Sequence, residues 1–239
     1  MSDVAFETPA VISAAPANTP DLAGNQHGYG FSSHLATLSR PEDTESEAIR
    51  GLRTHVITQH INAGRRALAV CSPEANAGCT ITAVNLAVAL SQVGLNTLLI
   101  DGSLSTPGVE KLIRPPAPPA GLTRRLAADD PDYEAYIDHR VLPDLSIIYA
   151  GEANTNAQEL LAGERFRGLM THCLREFDIT IVDTPPANKS YDAKQIASVV
   201  GSAVLVARKN KTFIRDVKTL ATQLGSDGVR IVGAIMYGA

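Results

Sequence analysis

The sequence predicts an α/β protein with a doubly wound, mostly parallel sheet that is flanked by helices. Short apolar segments alternate with segments of helical periodicity along most of the chain, as in successive strand-helix-strand units. Two apolar segments, 98–101 and 179–183, end in an aspartate, and a third, 67–71, leads through a loop of small residues into a helical pattern. Because ligands of open parallel sheets bind at the carboxyl ends of the strands, these three strand ends predict the functional site.

Length and composition are those of one globular α/β domain with an additional arm. The chain has 239 residues, of which 44% are hydrophobic and 19% charged, and its net charge is -4. This charge gives no electrostatic reason to expect nucleic acid as a partner. No apolar run approaches the roughly 18 residues of a membrane span. We therefore expect no direct membrane insertion and a cytoplasmic protein, for which any attachment to a membrane would need another molecule.

Residues 1–40 differ in composition from the rest of the chain. They are rich in Ala, Pro, Ser, Asn and Gly and show little periodic hydrophobicity. A segment of this kind buries too little apolar area to offset its ordering entropy. We predict a disordered arm over 1–40 and a folded domain over 41–239.

The first helical pattern, over 42–62, has Asp43 or Thr44 at its start and carries a charged stripe. Glu47, Arg50 and Arg53 are three residues apart and so lie along one side of the helix. By residue type alone, a solvated face with an intrahelical Glu-Arg pair is the simpler interpretation.

The loop after the strand at 67–71 has the frame of a phosphate-binding P-loop. That motif reads Gly-x-x-x-x-Gly-Lys-Ser/Thr: its backbone N–H groups surround the phosphates, its Lys reaches the outer phosphates and its hydroxyl holds Mg²⁺. Gly78 and Thr80 occupy the second glycine and hydroxyl positions, and Cys79 stands where the lysine belongs. A thiol brings no positive charge to a phosphate. The sequence therefore predicts a degenerate nucleotide site formed by Asn76, Gly78, Cys79 and Thr80, with ATP or ADP and Mg²⁺ as its ligands if a nucleotide binds.

Two carboxylates are predicted to meet this loop. Asp101 is predicted to end a strand that neighbours the P-loop strand, and Asp183 ends a strand of Walker B form. If a nucleotide binds, we expect Thr80, Asp101 and Asp183 to hold the magnesium ion.

The three cysteines, Cys71, Cys79 and Cys173, cannot all pair and form no Cys-x-x-Cys unit. Reduced, mostly buried thiols are the favoured interpretation. The alternative concerns Cys79, whose place at a helix N-terminus predicts a lowered thiol pKa and a reactive group.

The remaining elements continue the alternation. The sequence predicts a proline-rich loop over 102–121, helices over 122–128, 165–176, 193–200 and 213–224, and strands over 145–150, 203–207 and 230–236.

Several motifs occur together in one order and spacing: Glu47-x-x-Arg50-x-x-Arg53, Ser72-Pro-Glu with Gly78, Asn85-Leu-Ala-Val-Ala-Leu, Leu98-Leu-Ile-Asp101, Ala150-Gly151 with Asn156, Glu159-Leu-Leu, Val182-Asp183-Thr-Pro-Pro, and Asp192-Ala193. Over residues 42–239 this pattern resembles the bacterial tyrosine autokinases, which are ATPase partners of polysaccharide chain-length regulators. They belong to the deviant P-loop superfamily that includes the partition and division-site ATPases. The resemblance implies a P-loop NTPase-like fold, a membrane chain-length regulator as partner, and a homo-oligomer whose interface includes Glu47, Arg50 and Arg53.

The chain departs from that family where nucleotide is handled. Asn76 replaces the first glycine and Cys79 the lysine, and the family's Asp-x-Asp-x-Arg element is reduced to Asp101 followed by Gly, Ser, Leu and Ser. The last strand ends in Met-Tyr237 instead of the family's Asn, and the sequence given carries no tyrosine-rich tail after it. These departures favour an inactive adaptor with no catalytic residues.

Two alternatives stay open. The first is an active ATP-dependent protein tyrosine kinase or ATPase in which Lys189 or Lys194 takes the place of the missing lysine. The second is a partition-type positioning switch, against which the absence of a basic DNA-binding run and of a terminal amphipathic helix both argue.

Overall fold

The computed structural model describes residues 11–12, 22–24, 28–128 and 132–238. In this part of the chain the strands are β1 (Val11–Ile12), β2 (Leu22–Gly24), β3 (Gly30–Ser32), β4 (Ala67–Cys71), β5 (Thr97–Asp101), β6 (Ile113–Arg114), β7 (Asp138–Leu142), β8 (Leu145–Ile148), β9 (Ile179–Asp183), β10 (Ser202–Arg208) and β11 (Arg230–Tyr237). The α-helices are α1 (Ala36–Ser39), α2 (Thr44–Val56), α3 (Cys79–Ser91), α4 (Gly121–Ala127), α5 (Ala157–Ala162), α6 (Glu164–Glu176), α7 (Asp192–Val200) and α8 (Ile214–Ser226).

The main sheet confirms the predicted fold class. Its strand order is β1-β11-β10-β4-β9-β5-β8-β7, and every neighbouring pair is parallel except β7 with β8. The P-loop strand β4 lies between β9 and β10. The prediction that the Asp101 strand neighbours β4 is wrong, because β9 pairs with both strands and separates β5 from β4. The chain after β4 leads toward β5 and the chain after β9 leads toward β10, in opposite directions, so the winding reverses between β4 and β9. The carboxyl ends of β4, β5, β9 and β10 meet at one edge.

Helices cover both faces of this sheet. Alternate residues of each strand face opposite sides, so β4 sends Leu68 and Val70 into one core and Ala67, Ala69 and Cys71 into the other. The first core also contains buried residues of α2 and α3, and the second contains those of α4 to α8. Among the helices of 28–128 and 132–238, none combines the length and apolarity needed to cross a lipid bilayer.

Residues 28–40 differ from the predicted disordered arm. Leu35 and Ala36 are fully buried, Tyr29 is 8% exposed, and β3 pairs with β2 and β6 in a small antiparallel sheet. Thr37 Oγ1 also donates a hydrogen bond to Asn85 Oδ1 on α3 at 3.0 Å. The average composition of 1–40 concealed these few anchoring side chains. Of residues 1–27 the structure describes only β1 and β2, so the rest of the predicted arm lies outside the described residues.

The first predicted helix extends as expected but changes its winding. α2 continues directly into a π-helical turn, Ile57–Ile61. His60 in this turn is fully buried, and its Nε2 lies 2.9 Å from the backbone oxygen of Ala67 at the start of β4. The turn thus attaches the end of the helix to the P-loop strand.

Candidate functional site

The loop between β4 and α3 keeps the backbone form of a phosphate-binding nest. Asn76 (φ 59°) and Gly78 (φ +91°) adopt left-handed conformations. No described residue accepts a hydrogen bond from the backbone N–H groups of residues 75–81. Unpaired N–H groups in such a loop, at the N-terminus of a thirteen-residue helix, form a concavity that favours an anion. The backbone half of a P-loop is therefore present.

The lysine side chain that completes a P-loop is absent. The Cys79 thiol turns toward the sheet and donates a hydrogen bond from Sγ to the backbone oxygen of Val70 at 3.0 Å. Burial raises the pKa of this thiol well above its usual range, and the nearby Asp183 carboxyl raises it further. The raised pKa contradicts the lowered pKa predicted for Cys79, because desolvation outweighs the helix N-terminus.

Thr80 and Asp183 meet as the sequence predicted. Thr80 Oγ1 donates a hydrogen bond to Asp183 Oδ2 at 2.7 Å. The Asp183 carboxyl is fully buried and its Oδ1 has no partner among the described residues. Burial raises the pKa of Asp183 to about 8, with the charge of Asp101 as the second cause. A buried carboxylate oxygen without a partner, beside a threonine hydroxyl, fits a hydrated magnesium ion.

Asp101 lies close enough to Asp183 to raise the pKa of Asp183. The Asp101 carboxylate itself is hydrogen-bonded to the loop that follows β5. Oδ1 accepts the N–H of Ser103, and Oδ2 accepts those of Gly108 and Val109. These bonds fold residues 102–109 into a loop whose Gly108 packs against Thr80, so that a Cβ at residue 108 would lie 3.1 Å from Thr80 Cγ2. The described residues contain no group of three or more His, Cys, Asp or Glu side chains suited to a metal. A magnesium ion here would depend on phosphate and water for most of its ligands.

Tyr237 and Arg208 contact the P-loop, and the sequence motifs did not predict these contacts. The Tyr237 ring packs against Gly78, and Arg208 Nη1 donates a hydrogen bond to the backbone oxygen of Asn76 at 3.2 Å. The hydroxyl of Thr212 bonds the Glu74 carboxylate. The pairing of β10 with β11 places Arg208 directly beside Tyr237, a tertiary relationship that no local motif carries.

The charged stripe of α2 makes contacts within its own chain. Arg50 donates from Nε and Nη2 to Glu47 Oε2 at 2.9 and 2.7 Å and from Nη1 to the backbone oxygen of Pro41. Arg53 Nη1 reaches the backbone oxygen of Ala89 on α3 at 3.4 Å. The Glu47 side chain remains 72% exposed. The stripe does not enter the P-loop, and α2 is linked to it through its packing on α3 and through the contact of His55 with the backbone oxygen of Val232 on β11, the strand that carries Tyr237.

Lys189 and Lys194 lie beside the beginning of the P-loop. The backbone N–H groups of Ala187 and Asn188 donate to the oxygens of Ser72 and Pro73 at 2.9 and 3.1 Å. Both lysines line a cavity of about 520 Å³ together with Pro73 and Glu74. The structure thus brings both cations to the rim of the loop.

Comparison with known proteins identifies the family. No protein-family model matches the chain. It is 29% identical over 207 residues to the putative tyrosine-protein kinase CapB of Staphylococcus aureus, covering 85% of this chain and 89% of CapB. It is 30% identical over 207 residues to a putative tyrosine-protein kinase in the cps region of Klebsiella pneumoniae, covering 85% of this chain. The chain belongs to the bacterial tyrosine-protein kinase family. It spans nearly all of CapB but only 28% of the Klebsiella kinase.

Solved structures agree with this membership. The kinase domain of the Escherichia coli tyrosine kinase ETK superposes with a TM-score of 0.81 at 26% identity, covering 96% of this chain and 88% of that one. A more distant likeness of fold, at a TM-score of 0.61 and 17% identity over 72% of each chain, is to a Mycobacterium smegmatis cobyrinic acid a,c-diamide synthase with bound ATP analog and magnesium. The tyrosine kinase family and the wider P-loop NTPase fold are thus both represented among its structural neighbours.

Proposed function

We propose that this family member is an adaptor that regulates exopolysaccharide biosynthesis and export, and that it lacks kinase activity. The observation that carries the proposal is the Cys79 thiol, which stands at the lysine position and is hydrogen-bonded to Val70 O instead of facing the nest. A lysine there would form charge-assisted hydrogen bonds to the phosphates. Removal of one preorganised electrostatic stabiliser commonly costs about a hundredfold to a thousandfold in rate.

The same site supports weak binding of ATP or ADP with Mg²⁺ as a structural ligand. The unpaired N–H groups of 75–81 would hold phosphate oxygens, and Thr80 with Asp183 would hold the ion or its water. Such a nucleotide would stabilise the packing of the loop against β9 without being hydrolysed. Asp101, whose carboxylate already accepts three backbone N–H groups, would act on the metal through its charge or through a bridging water.

The proposed partner is a membrane chain-length regulator of a polysaccharide assembly complex, which would hold the adaptor at the inner face of the membrane. Family membership supports this assignment. Self-assembly would use Glu47, Arg50 and Arg53, because exposed Glu47 and the Arg50 guanidinium can exchange their mutual bonds for bonds to another copy at little net cost.

A second candidate is an active ATP-dependent protein tyrosine kinase. The observation that favours it is the position of Lys189 and Lys194 on the cavity that Pro73 and Glu74 also line. An ammonium group on that rim supplies the missing charge if it reaches the outer phosphates.

Calorimetry with magnesium-ATP tests the site. We expect wild-type protein to bind weakly or not at all and to show no phosphotransfer. Cys79→Lys is expected to gain about tenfold or more in affinity, since a hydrogen bond to a charged group contributes about 1.5–3 kcal/mol. Cys79→Met is the matched control for side-chain length without charge. Transfer of phosphate to tyrosine by the wild type, lost in Lys189→Met or Lys194→Met, would instead establish the kinase.

Assembly is tested separately by light scattering. Arg50→Ala with Arg53→Ala is expected to reduce the mass of the oligomer, whereas Arg124→Ala with Arg175→Ala, two exposed arginines on other helices, is expected to leave it unchanged. Equal masses for wild type and the first variant would refute the role of the stripe.

A further inference from the structure

The lysines of this chain are concentrated in one region. Of six lysines in the sequence, five fall between residues 189 and 218, although the whole chain carries a net charge of -4. They are Lys189, Lys194, Lys209, Lys211 and Lys218. All are exposed except Lys194, which is half-buried. A local excess of positive charge on a protein of net negative charge orients that region toward negatively charged partners.

These lysines surround exposed apolar side chains. Tyr191, Phe213 and Ile214 are 68%, 62% and 75% exposed, more than any other large apolar residue among those described. The ammonium of Lys194 lies 5.2 Å from the centroid of the Tyr191 ring, and the guanidinium of Arg215 lies 4.9 Å from that of Phe213. We call the five lysines, Arg215 and these three side chains the basic-aromatic surface.

The sheet topology places the surface at one edge of the molecule. Tyr191 immediately precedes α7 and Phe213 immediately precedes α8, and these helices follow the parallel strands β9 and β10. Both helix N-termini therefore lie at the carboxyl edge of the sheet. Ile214 and Lys218, four residues apart on α8, share one side of that helix.

Few negative charges oppose the surface. Glu74 and Asp216 line the cavity with Lys189 and Lys194, and Asp227 lines a second cavity with Tyr191 and Lys194. Glu74 accepts a hydrogen bond from Thr212, and Asp216 Oδ1 lies 3.4 Å from Arg215 Nε. Six cations thus stand beside these three carboxylates and the buried Asp192, and both Glu74 and Asp216 already have a partner.

We propose that the basic-aromatic surface docks directly on an anionic lipid bilayer. Five of its six cations are lysines, which act as flexible point charges, whereas arginine is favoured for bidentate recognition of single carboxylates or phosphates. The charges are also spread over three segments, 189–194, 209–211 and 215–218, as a diffuse anionic surface requires. Tyr191, Phe213 and Ile214 would enter the headgroup region while the lysine stems extend beside them.

This inference goes beyond the proposed function, since it needs neither nucleotide nor a protein partner. The test is sedimentation of the purified full chain with vesicles of phosphatidylglycerol and phosphatidylcholine in equal parts, compared with vesicles of phosphatidylcholine alone. We expect binding only to the anionic vesicles, with weakening as salt rises. Lys209→Gln, Lys211→Gln and Lys218→Gln together should weaken binding about a hundredfold, at about fivefold for each lysine near an anionic surface. Phe213→Ser with Ile214→Ser should weaken it about tenfold or more.

Two controls isolate the surface. Arg65→Gln, Arg66→Gln and Arg230→Gln remove three cations just before β4 and at the start of β11, the opposite edge of the sheet, and Val93→Ser with Leu174→Ser removes two exposed apolar side chains elsewhere. Both control variants should bind like the wild type. Absence of wild-type binding, or equal losses in the control variants, overturns the proposal. It is also overturned if the wild type binds a soluble glutamate-tyrosine copolymer but not the vesicles, an outcome that assigns the surface to an acidic polypeptide.

Discussion

The ring of Tyr237 lies against the α-carbon of Gly78, so that a Cβ atom at residue 78 would overlap ring carbons Cδ1 and Cγ. Gly78 also has φ +91°, in a region that side chains with a Cβ rarely adopt. The strand β11, the last in the chain order, therefore packs on the residue at which the P-loop ends and α3 begins.

Gly78→Ala is expected to destabilise the protein by about 2 kcal/mol or more, because the new Cβ adds backbone strain to the overlap with Tyr237. Tyr237→Ala in the same chain should relieve the overlap but not the strain. Urea unfolding of the two single variants and the double variant measures the coupling between the residues. Strict additivity would contradict the contact.

The hydrogen bond from Thr80 to Asp183 can be tested against a matched threonine. Thr80→Val leaves a buried carboxyl without its partner and is expected to cost about 1–3 kcal/mol of unfolding free energy. Thr180 on β9 is equally suited to valine, since it is fully buried and its hydroxyl has no partner among the described residues. Thr180→Val should be neutral or stabilising. Similar losses in both variants, by chemical denaturation, would show that the Thr80 bond adds nothing.

His60 should make the protein sensitive to acid. Burial lowers the pKa of His60, so the folded state keeps the ring neutral while the unfolded chain binds a proton below about pH 6.5. Because the unfolded state binds the extra proton, the free energy of unfolding falls as the pH drops below that value. Unfolding in urea at about pH 7.5 and about pH 5.5 should show this fall in the wild type and a smaller one in His60→Gln. A fall of the same size in His60→Gln as in the wild type would assign the acid sensitivity to other groups.

Leu35 tests whether residues 28–40 belong to the folded domain. Its side chain is fully buried, so Leu35→Ala is expected to cost about 2–5 kcal/mol. Leu38→Ala, three residues later and only partly buried, should cost less. Denaturant unfolding compares the two variants. An unchanged midpoint for Leu35→Ala would show that residues 28–40 do not stabilise the folded domain.

The positions that could be predicted from the sequence are those that local residue patterns specify. An apolar strand that ends in Asp183 and a loop that ends in Gly78 and Thr80 specify their own positions, and parallel pairing then brings them together. Leu35 could not be recognised in this way, because a few anchors in a Pro- and Ala-rich segment leave no periodic signal. Neither could Tyr237 and Arg208, whose contacts with the loop depend on the register of β10 with β11. The direction of the Cys79 pKa shift could not be predicted, because it depends on how far the thiol is desolvated. A position at a helix N-terminus does not reveal this.

The position of β4 also constrains the order in which the protein can fold as it leaves the ribosome. β4 is made early, but its two neighbours in the sheet are β9 and β10, which are encoded more than a hundred residues later. Until then its entirely apolar sequence, residues 67–71, has no native edge to join. Nascent chains that pause before residue 179 would therefore display an unpaired hydrophobic strand, the kind of segment that chaperones bind and that aggregates seed from.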